Sequence, residues 1–302
     1  MKYYKVIFSI VFTVIFGKSV YSQQDFSDYQ FDTISLYRFE LLDGSKFLGN
    51  YVQKDSLIVV IRTESIPRIE IPFSRIKELG VVDKEHFKSG QYWFPNPNPT
   101  RYLFAPSGYN LKKGEGYYQN VWVLFNSFNV GLSDNFSIGG GLEFISTIGS
   151  LTNDEFSPIF FITPKFGFKV SPKANAGVGL LYINIPMDED ESGGLGIIYG
   201  VGTLGSIEHN VTAGIGWGFV QGDFSGSPIL TLSGMTRVSR KTSLITENWF
   251  IPEGNGSYYP LFSYGLRFFG EKISVDLAFV NNGDIVQGIF LGIPFVDFVV
   301  KF

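Results

Sequence analysis

The sequence predicts an all-β protein: an antiparallel transmembrane β-barrel of about 12 strands preceded by a small β-domain. After Arg101 the chain runs in segments of about ten residues in which apolar residues alternate with polar or small ones, as in membrane barrel strands. The residues between the apolar ones are often Gly, and the chain has 35 Gly in 302 residues. The last seven residues continue this alternation as far as Phe302.

Composition excludes several classes of function. The chain has no Cys, which excludes disulfide scaffolds, thiolate metal sites and Cys nucleophiles. Its formal net charge of −4 argues against a nucleic-acid partner, which would require a basic surface. Charged residues make up 17% of the chain and hydrophobic residues 44%, which argues against disorder. We therefore expect a folded β-protein that binds no nucleic acid.

Residues 1–22 are predicted to be a secretory signal peptide. The segment opens with two lysines and continues with an apolar run of eleven residues at 6–16. Val20 and Ser22 are the small residues at the −3 and −1 positions of a cleavage site. A membrane-spanning helix needs about 20 apolar residues, so this run is too short to be one. The mature chain is expected to be exported.

Residues 31–85 are predicted to form a small soluble β-domain. Apolar segments at 36–41, 47–52 and 57–61 are separated by turn residues such as Asp43-Gly44. With the closing segment IPFSRIKEL, these features resemble Sm/SH3-like small barrels. The resemblance implies a structural or peptide-docking domain, and we expect a periplasmic protein as its partner.

Residues 86–100 are predicted to be a linker. Pro95, Pro97 and Pro99 alternate with Asn, and proline cannot donate to a hydrogen-bond ladder in a sheet interior. The barrel is therefore expected to occupy 101–302.

The strands of the predicted barrel are clearest at 211–220, where Gly and Thr separate the apolar residues. The same alternation occurs at 160–170, 195–201 and 273–279, with Leu195, Ile197, Tyr199 and Val201 as the apolar side of the third. A soluble sandwich shows the same alternation. We expect the apolar sides to face lipid because Gly is so frequent on the other side, and because Trp122, Trp217 and Trp249 lie where aromatic girdles form.

Connection lengths predict the topology. Short turns near 133–135, 171–173, 207–209, 239–241 and 270–271 alternate with mostly longer, polar connections, and short turns are periplasmic in outer-membrane barrels. About twelve strands result if 102–106 is the first, and ten if 101–106 and 242–251 are not strands. Both chain ends of the barrel are then periplasmic.

Two segments resemble known outer-membrane proteins. Val296, Phe298, Val300 and Phe302 are similar to the C-terminal signature of bacterial outer-membrane barrels. Residues 105–118 together with Phe136–Gly141 resemble a mostly uncharacterised group of Gram-negative outer-membrane β-barrel proteins that carry a small N-terminal β-domain. The resemblance implies contact with outer-membrane lipid and with the barrel-assembly machinery, and it implies no particular activity.

Motifs for catalysis or cofactor binding are weak. Gly200–Gly205 matches GxGxxG, but another strand follows instead of the helix that a dinucleotide requires. Asp188–Gly193 opens like a calcium loop, but its twelfth position is Tyr199 instead of Glu. A solvated acidic loop is the preferred interpretation, with a loose divalent-cation site as the alternative. His86 and His209 are the only histidines. We predict no enzyme, no cofactor and no metal site.

The predicted lumen carries charges of both signs, since the apolar residues are taken to face lipid. We predict a narrow conduit for small solutes whose selectivity these charges set. The alternative is a structural or binding protein whose periplasmic β-domain docks a partner and whose plugged barrel is an anchor. Twelve strands lie between filled eight-stranded and open sixteen-stranded barrels, so both remain open. The lumen candidates are Glu143, Lys165, Lys169, Arg237, Arg267, Asp276, Asp297 and Lys301.

Overall fold

The computed structural model divides the chain into two compact units, Met1–Trp93 and Phe94–Phe302. It describes residues 25–83, 86–88, 91–152, 158–185, 193–254 and 256–302. The predicted signal peptide and most of the acidic loop at 188–193 lie outside the described residues.

The first unit contains a five-stranded antiparallel sheet in the order β4-β3-β2-β1-β5. The first four strands form a meander, and one turn of 3-10 helix, Phe73–Arg75, leads into β5, which pairs with β1. Two further strands of two residues each, β6 and β7, pair with each other. The strands are β1 (Leu36–Leu41), β2 (Lys46–Lys54), β3 (Ile58–Arg62), β4 (Ile69–Pro72), β5 (Ile76–Val81), β6 (Phe87–Lys88) and β7 (Gln91–Tyr92).

The core of this sheet follows from the alternation along its strands. Tyr37 and Phe39 on β1 pack with Val59 and Ile61 on β3, and all four side chains are buried. Gly49 on β2 permits the close approach of β3, because a Cβ there would lie 2.8 Å from the carbonyl oxygen of Arg62. The first unit therefore has its own apolar core.

The second unit is a closed antiparallel barrel with twelve strand positions. The last strand, β21, pairs with the first, β8, so the barrel has no free edge. Two short strands, β11 and β12, share one position between β10 and β13 and are separated by Thr163-Pro164. The strands are β8 (Gly116–Val121), β9 (Phe125–Gly131), β10 (Phe136–Glu143), β11 (Phe160–Ile162), β12 (Lys165–Ser171), β13 (Ala174–Ile185), β14 (Gly193–Gly205), β15 (His209–Val220), β16 (Asp223–Phe224, a short extension beside β15), β17 (Ile229–Ser239), β18 (Thr242–Pro252), β19 (Tyr258–Phe269), β20 (Ile273–Asn281) and β21 (Ile293–Lys301).

The number of strands agrees with the sequence prediction, but their positions differ at the start of the barrel. Residues 102–106 form no barrel strand, whereas the stretch 117–132 contains two strands, β8 and β9. The turn between them places Trp122 and Val123 at φ 51° and 66°. Such two-residue turns usually contain Asn-Gly, so the sequence carried no signal for this one. The segment 242–252 is a strand.

The connections define two ends of the barrel. At the end that we call the short-turn rim, β9 meets β10, β12 meets β13, β14 meets β15, β17 meets β18 and β19 meets β20 through two to four residues. Gly116 and Phe302 are hydrogen-bonded to each other at the same rim. At the opposite long-loop rim, the connections include a helix at Phe144–Thr152 and a short helical turn at Ile285–Gly288.

The outer face of the barrel is apolar over most strands. Val211, Ile215 and Trp217 on β15 are exposed, as are Phe166 and Phe168 on β12. The C-terminal residues of the predicted signature also point outward: Val296, Phe298 and Phe302 are exposed and Val300 is half-buried. A continuous apolar surface of this kind is typical of a barrel that faces lipid. Among the described residues, no helix has the length and apolar character to span a membrane.

Strand β14 contradicts the predicted orientation. Val201 is buried, and Ile197 and Tyr199 line the interior, whereas Ile198 is 48% exposed on the outer face. A strand's alternation determines which residues share a side but does not identify the side that faces inward. Pairing with β13 decides the side here, because Gly200 lies opposite the outward-facing Val178. Trp249, predicted for an aromatic girdle, likewise lines the interior.

Candidate functional site

Residues 94–111 lie inside the barrel, and we call them the inner segment. Its residues Asn98, Arg101, Tyr102, Leu103 and Ala105 are all at most 5% exposed. The sequence predicts a linker at 86–100 and a first strand at 102–106 for this part of the chain. The structure instead places these residues inside the barrel. Local composition does not distinguish the two cases, because a Pro/Asn-rich extended chain can either link domains or fill a cavity.

The inner segment begins and ends at the short-turn rim. Asn96 hydrogen-bonds the Ile207 carbonyl in one rim turn, and Lys113, just beyond the segment, donates its backbone N–H to Asp134 in another. Between these points the chain reverses at a tight turn, in which the N–H of Tyr102 donates to the carbonyl of Ala105 at 2.8 Å. The segment therefore enters and leaves the lumen at the short-turn rim and folds back on itself inside the barrel.

A buried cluster of charges ties the inner segment to three strands. Arg101 Nη1 lies 2.8 Å from Asp297 and 3.3 Å from Asp276, on β21 and β20. Arg267 on β19 forms two hydrogen bonds of 2.7 Å with Asp276 and donates to the carbonyl of Tyr102 at 2.7 Å. Replacing one member of such a buried set leaves a charge unpaired, at a cost of about 3–5 kcal/mol.

Glu247 on β18 holds the deepest point of the inner segment. One carboxylate oxygen accepts the backbone N–H groups of Leu103, Phe104 and Ala105 at 2.8, 3.0 and 2.8 Å. The other oxygen accepts the indole N–H of Trp249 at 2.8 Å. All four partners are donors, so the geometry fits an ionised carboxylate that uses only acceptor positions.

Arg237 on β17 anchors the start of the inner segment. Its guanidinium donates to the carbonyl of Phe94 at 2.7 Å and pairs with Glu208 at 2.9 Å. The same guanidinium lies over the rings of Phe94 and Phe269, at 5.2 and 4.6 Å from their centroids. Glu208 in turn accepts the backbone N–H of Asn96 at 2.9 Å.

The remaining lumen candidates from the sequence have separate environments. Lys165 is buried and its ammonium donates to the carbonyls of Tyr109 and Thr100 in the inner segment. Glu143 accepts the N–H groups of two residues at the start of the helix Phe144–Thr152, and its carboxylate has no hydrogen bond to the inner segment among the described residues. Lys301 pairs with Glu115 at 2.9 Å, and Lys169 is exposed at the short-turn rim.

Three of the most heavily bonded residues, Arg101, Glu208 and Glu247, were not among the sequence candidates. Arg101 and Glu208 lie outside the barrel strands, and Glu247 lies in a strand whose alternation is weak. An acidic residue within a segment long enough to cross the membrane was the available signal for Glu247.

The GxGxxG match contacts the inner segment: Thr203 Oγ1 accepts the backbone N–H of Gly108 at 2.7 Å, and the carbonyl of Gly205 accepts the hydroxyl of Tyr109 at 3.2 Å. Gly200–Gly205 is part of β14 and is followed by β15. His209 lies at the short-turn rim, where its Nδ1 is 2.7 Å from the hydroxyl of Thr236. Within the described ranges, no group of three or more His, Asp or Glu residues is arranged to hold a metal ion.

A cavity of about 380 Å³ lies beside the inner segment and extends toward the long-loop rim. Thr100, Arg101, Phe104, Pro106 and Leu111 of the inner segment line it. The lining residues of the barrel wall range from Tyr117 and Ser137, near the short-turn rim, to Ile183 and Trp249, nearer the long-loop rim. The volume of the cavity is within the range of sites for small molecules.

Comparison with known proteins gives only distant likenesses. No protein family and no curated protein matches the sequence. Among solved structures, the chain is similar to a KdgM porin, with a TM-score of 0.40, 10% identity, and coverage of 62% of this chain and 96% of that one. It is also similar to Salmonella typhi OmpF in complex with daunomycin, with a TM-score of 0.31, 8% identity, and coverage of 88% and 95%. These scores are too low to define a function, and the barrel is assigned from its own strand pairing.

Proposed function

We propose that this chain is an outer-membrane β-barrel protein that conducts small solutes and whose inner segment holds the conduit closed. The observation that carries the proposal is the inner segment itself, which is buried in the lumen and is bound by charged side chains of the wall. The apolar outer face, the predicted signal peptide and the C-terminal residues 296–302 support insertion by the barrel-assembly machinery into the outer membrane.

The polar character of the contacts supports a segment that can move. Buried ion pairs often stabilise a fold no better than apolar residues of similar size would. Arg101 is imperfectly satisfied: within the described part of the chain, its Nε and Nη2 have no hydrogen-bond partner. If the segment withdraws, Arg267, Asp276 and Asp297 line the lumen and act as selectivity residues, together with Lys165.

Planar-bilayer recording tests the conduit. We expect the wild type to show rare openings and Arg101→Gln to open more often, because that variant leaves Asp276 and Asp297 without one of their cations. Lys165→Glu is expected to increase the selectivity of the open state for cations. Lys169→Glu, at the exposed rim, is the matched control and is expected to have a smaller effect. Absence of openings in every variant, in samples whose gel mobility still shifts on boiling, would refute the conduit.

A second candidate is an anchored binding protein, and the separate core of the first unit favours it. That unit also has a groove of about 620 Å³ lined by residues that include Ile34, Leu36, Val82 and Phe87. In this alternative the domain at 31–85 docks a periplasmic protein and the barrel stays plugged. Bilayers that remain silent with wild type and Arg101→Gln would favour it.

We also propose that the short-turn rim and the first unit are periplasmic, because short turns face the periplasm in outer-membrane barrels. An epitope inserted at Gly254, in a long-loop connection, is then expected to bind antibody on intact cells. An epitope at Gly44 in the first unit is expected to bind only after the outer membrane is permeabilised. The reverse pattern would contradict this orientation.

A further inference from the structure

We propose that the lumen cavity binds an amphipathic molecule with an apolar body and one anionic headgroup, as in a long-chain carboxylate. The inference rests on the proposed outer-membrane conduit and names the class of solute that this conduit would take.

The wall of the cavity is mostly apolar, with polar residues such as Gln119, Asn129 and Thr231 among the lining. Phe125, Phe161, Leu181, Ile183, Ile197 and Ile229 contribute from successive parts of the barrel. The interior of a water-filled channel is polar, and an apolar constriction of this kind tends to lose water. This cavity therefore suits an apolar solute better than a hydrated one.

The reversed orientation of β14 creates this wall. It turns Ile197, Tyr199 and Val201 inward, while the neighbouring strand β15 presents Gly214 and Gly216 to the same space. A Cβ at Gly216 would lie 2.8 Å from Cγ2 of Ile197, so glycine makes room for the larger side chain. Glycines on one strand and branched or aromatic residues on the next thus shape the cavity together.

Among the described residues, two charged side chains line the cavity, and both are basic: Arg101 and Lys165. Lys165 donates only to carbonyl oxygens and has no ion pair among the described residues. The nearby carboxylates are already engaged, because Asp276 and Asp297 bind arginines and Glu247 binds backbone N–H groups.

An anionic headgroup would satisfy this end of the cavity. Nε and Nη2 of Arg101 are buried donors that lack a partner within the described ranges, and a buried donor without a partner is costly. A carboxylate accepts charge-assisted hydrogen bonds from guanidinium and ammonium groups. The apolar wall and the basic floor therefore favour the same ligand, with its headgroup toward the inner segment.

Fluorescence quenching in lipid nanodiscs tests this inference, with 12-bromododecanoate as the probe. Two single-tryptophan variants provide the comparison: one keeps Trp249, which lines the cavity, and the other keeps Trp217, which faces outward. We expect the quenching of Trp249 to saturate as the probe concentration rises. The quenching of Trp217 should rise linearly with concentration, because Trp217 reports only the probe dissolved in lipid. Linear quenching of both would overturn the proposed site.

The headgroup is tested in the Trp249 background. Lys165→Gln is expected to raise the half-quenching concentration of the carboxylate about tenfold or more, and Lys165→Arg to preserve binding. Lys169 lies on the same strand and the same face as Lys165, at the rim. Lys169→Gln is therefore the matched control, and it should leave the half-quenching concentration unchanged. The half-quenching concentration of the uncharged 12-bromododecanol should be the same for Lys165→Gln and its parent. Equal carboxylate binding by Lys165→Gln and its parent would overturn the anionic assignment.

These results separate the two proposals. Saturable quenching of Trp249 in a protein that never conducts would refute the conduit and retain the ligand site. Conductance without saturable quenching would refute the ligand site and retain the conduit. A heat-dependent mobility shift of each variant verifies that its barrel is folded.

Discussion

Glu247→Gln is expected to release the tip of the inner segment. The carboxylate accepts three backbone N–H groups on one oxygen and the indole N–H of Trp249 on the other. Glutamine keeps the size of the side chain but has one acceptor oxygen, and its NH₂ group donates. Whichever way the amide turns, it presents donors either to the three backbone N–H groups or to Trp249.

The magnitude follows from these contacts. A hydrogen bond to a charged group contributes about 1.5–3 kcal/mol, and a buried donor left unpaired costs about 1–3 kcal/mol. Because neighbouring contacts are not additive and the amide oxygen retains part of the set, we expect a net loss of about 2 kcal/mol. Such a loss corresponds to a roughly 30-fold rise in the fraction of molecules whose tip is displaced.

The natural absence of Cys makes a thiol assay direct. Ala105→Cys places a single small thiol at the tip, where Ala105 is only 2% exposed. The rate of its modification by a charged, water-soluble thiol reagent in nanodiscs reports how often the tip leaves its site. We expect the added Glu247→Gln change to raise this rate by about the same factor of 30, provided that the tip opens and recloses faster than the reagent reacts.

Glu143→Gln is the matched control. Glu143 is also a buried glutamate of the barrel, but it binds the start of the helix Phe144–Thr152. Glu143→Gln should leave the rate of thiol modification in the Ala105→Cys background unchanged. An unchanged rate in Glu247→Gln, or an equal rise in both variants, would show that Glu247 does not hold the tip.

Two further predictions concern a close contact and an ion pair. Gly108→Ala should loosen the inner segment and raise thiol reactivity at the tip, because its Cβ would lie 2.5 Å from the carbonyl oxygen of Asn175; Gly202→Ala, with no atom within 4 Å, should not. In the first unit, the hydrogen bond from Lys77 lowers the pKa of Glu40 from 4.5 to about 2. This contribution to stability is therefore present above about pH 4.5 and is lost as the pH falls toward 2. It amounts to about 1–3 kcal/mol once the exposure of the lysine is considered. Hydrogen exchange of β1 in the intact protein should show wild type more protected than Glu40→Gln at pH 6, with the difference shrinking progressively below pH 4.5 and largely lost at pH 2. A difference that is undiminished at pH 2 would contradict this origin.

Much of the barrel can be predicted from the sequence because its determinants are local. Alternation along 211–220 and 273–279 follows from the two-residue period of a strand, and it correctly identifies Thr212 and Asp276 as inward-facing. The C-terminal residues likewise have the predicted sides. The prediction that the apolar side always faces lipid is wrong for β14, because nothing within a strand identifies the inner side.

The tertiary structure alone decided what fills the lumen. Pro95, Pro97 and Pro99 marked a chain that cannot join a sheet, and this property is shared by a linker and by a segment inside a barrel. The partners of Arg101 and Glu247 are up to 196 residues away in the chain, as Arg101 and Asp297 show. Such pairs are brought together only in the folded barrel. Strand periodicity thus determined the barrel, whereas closure of the sheet determined its occupant and the cavity beside it.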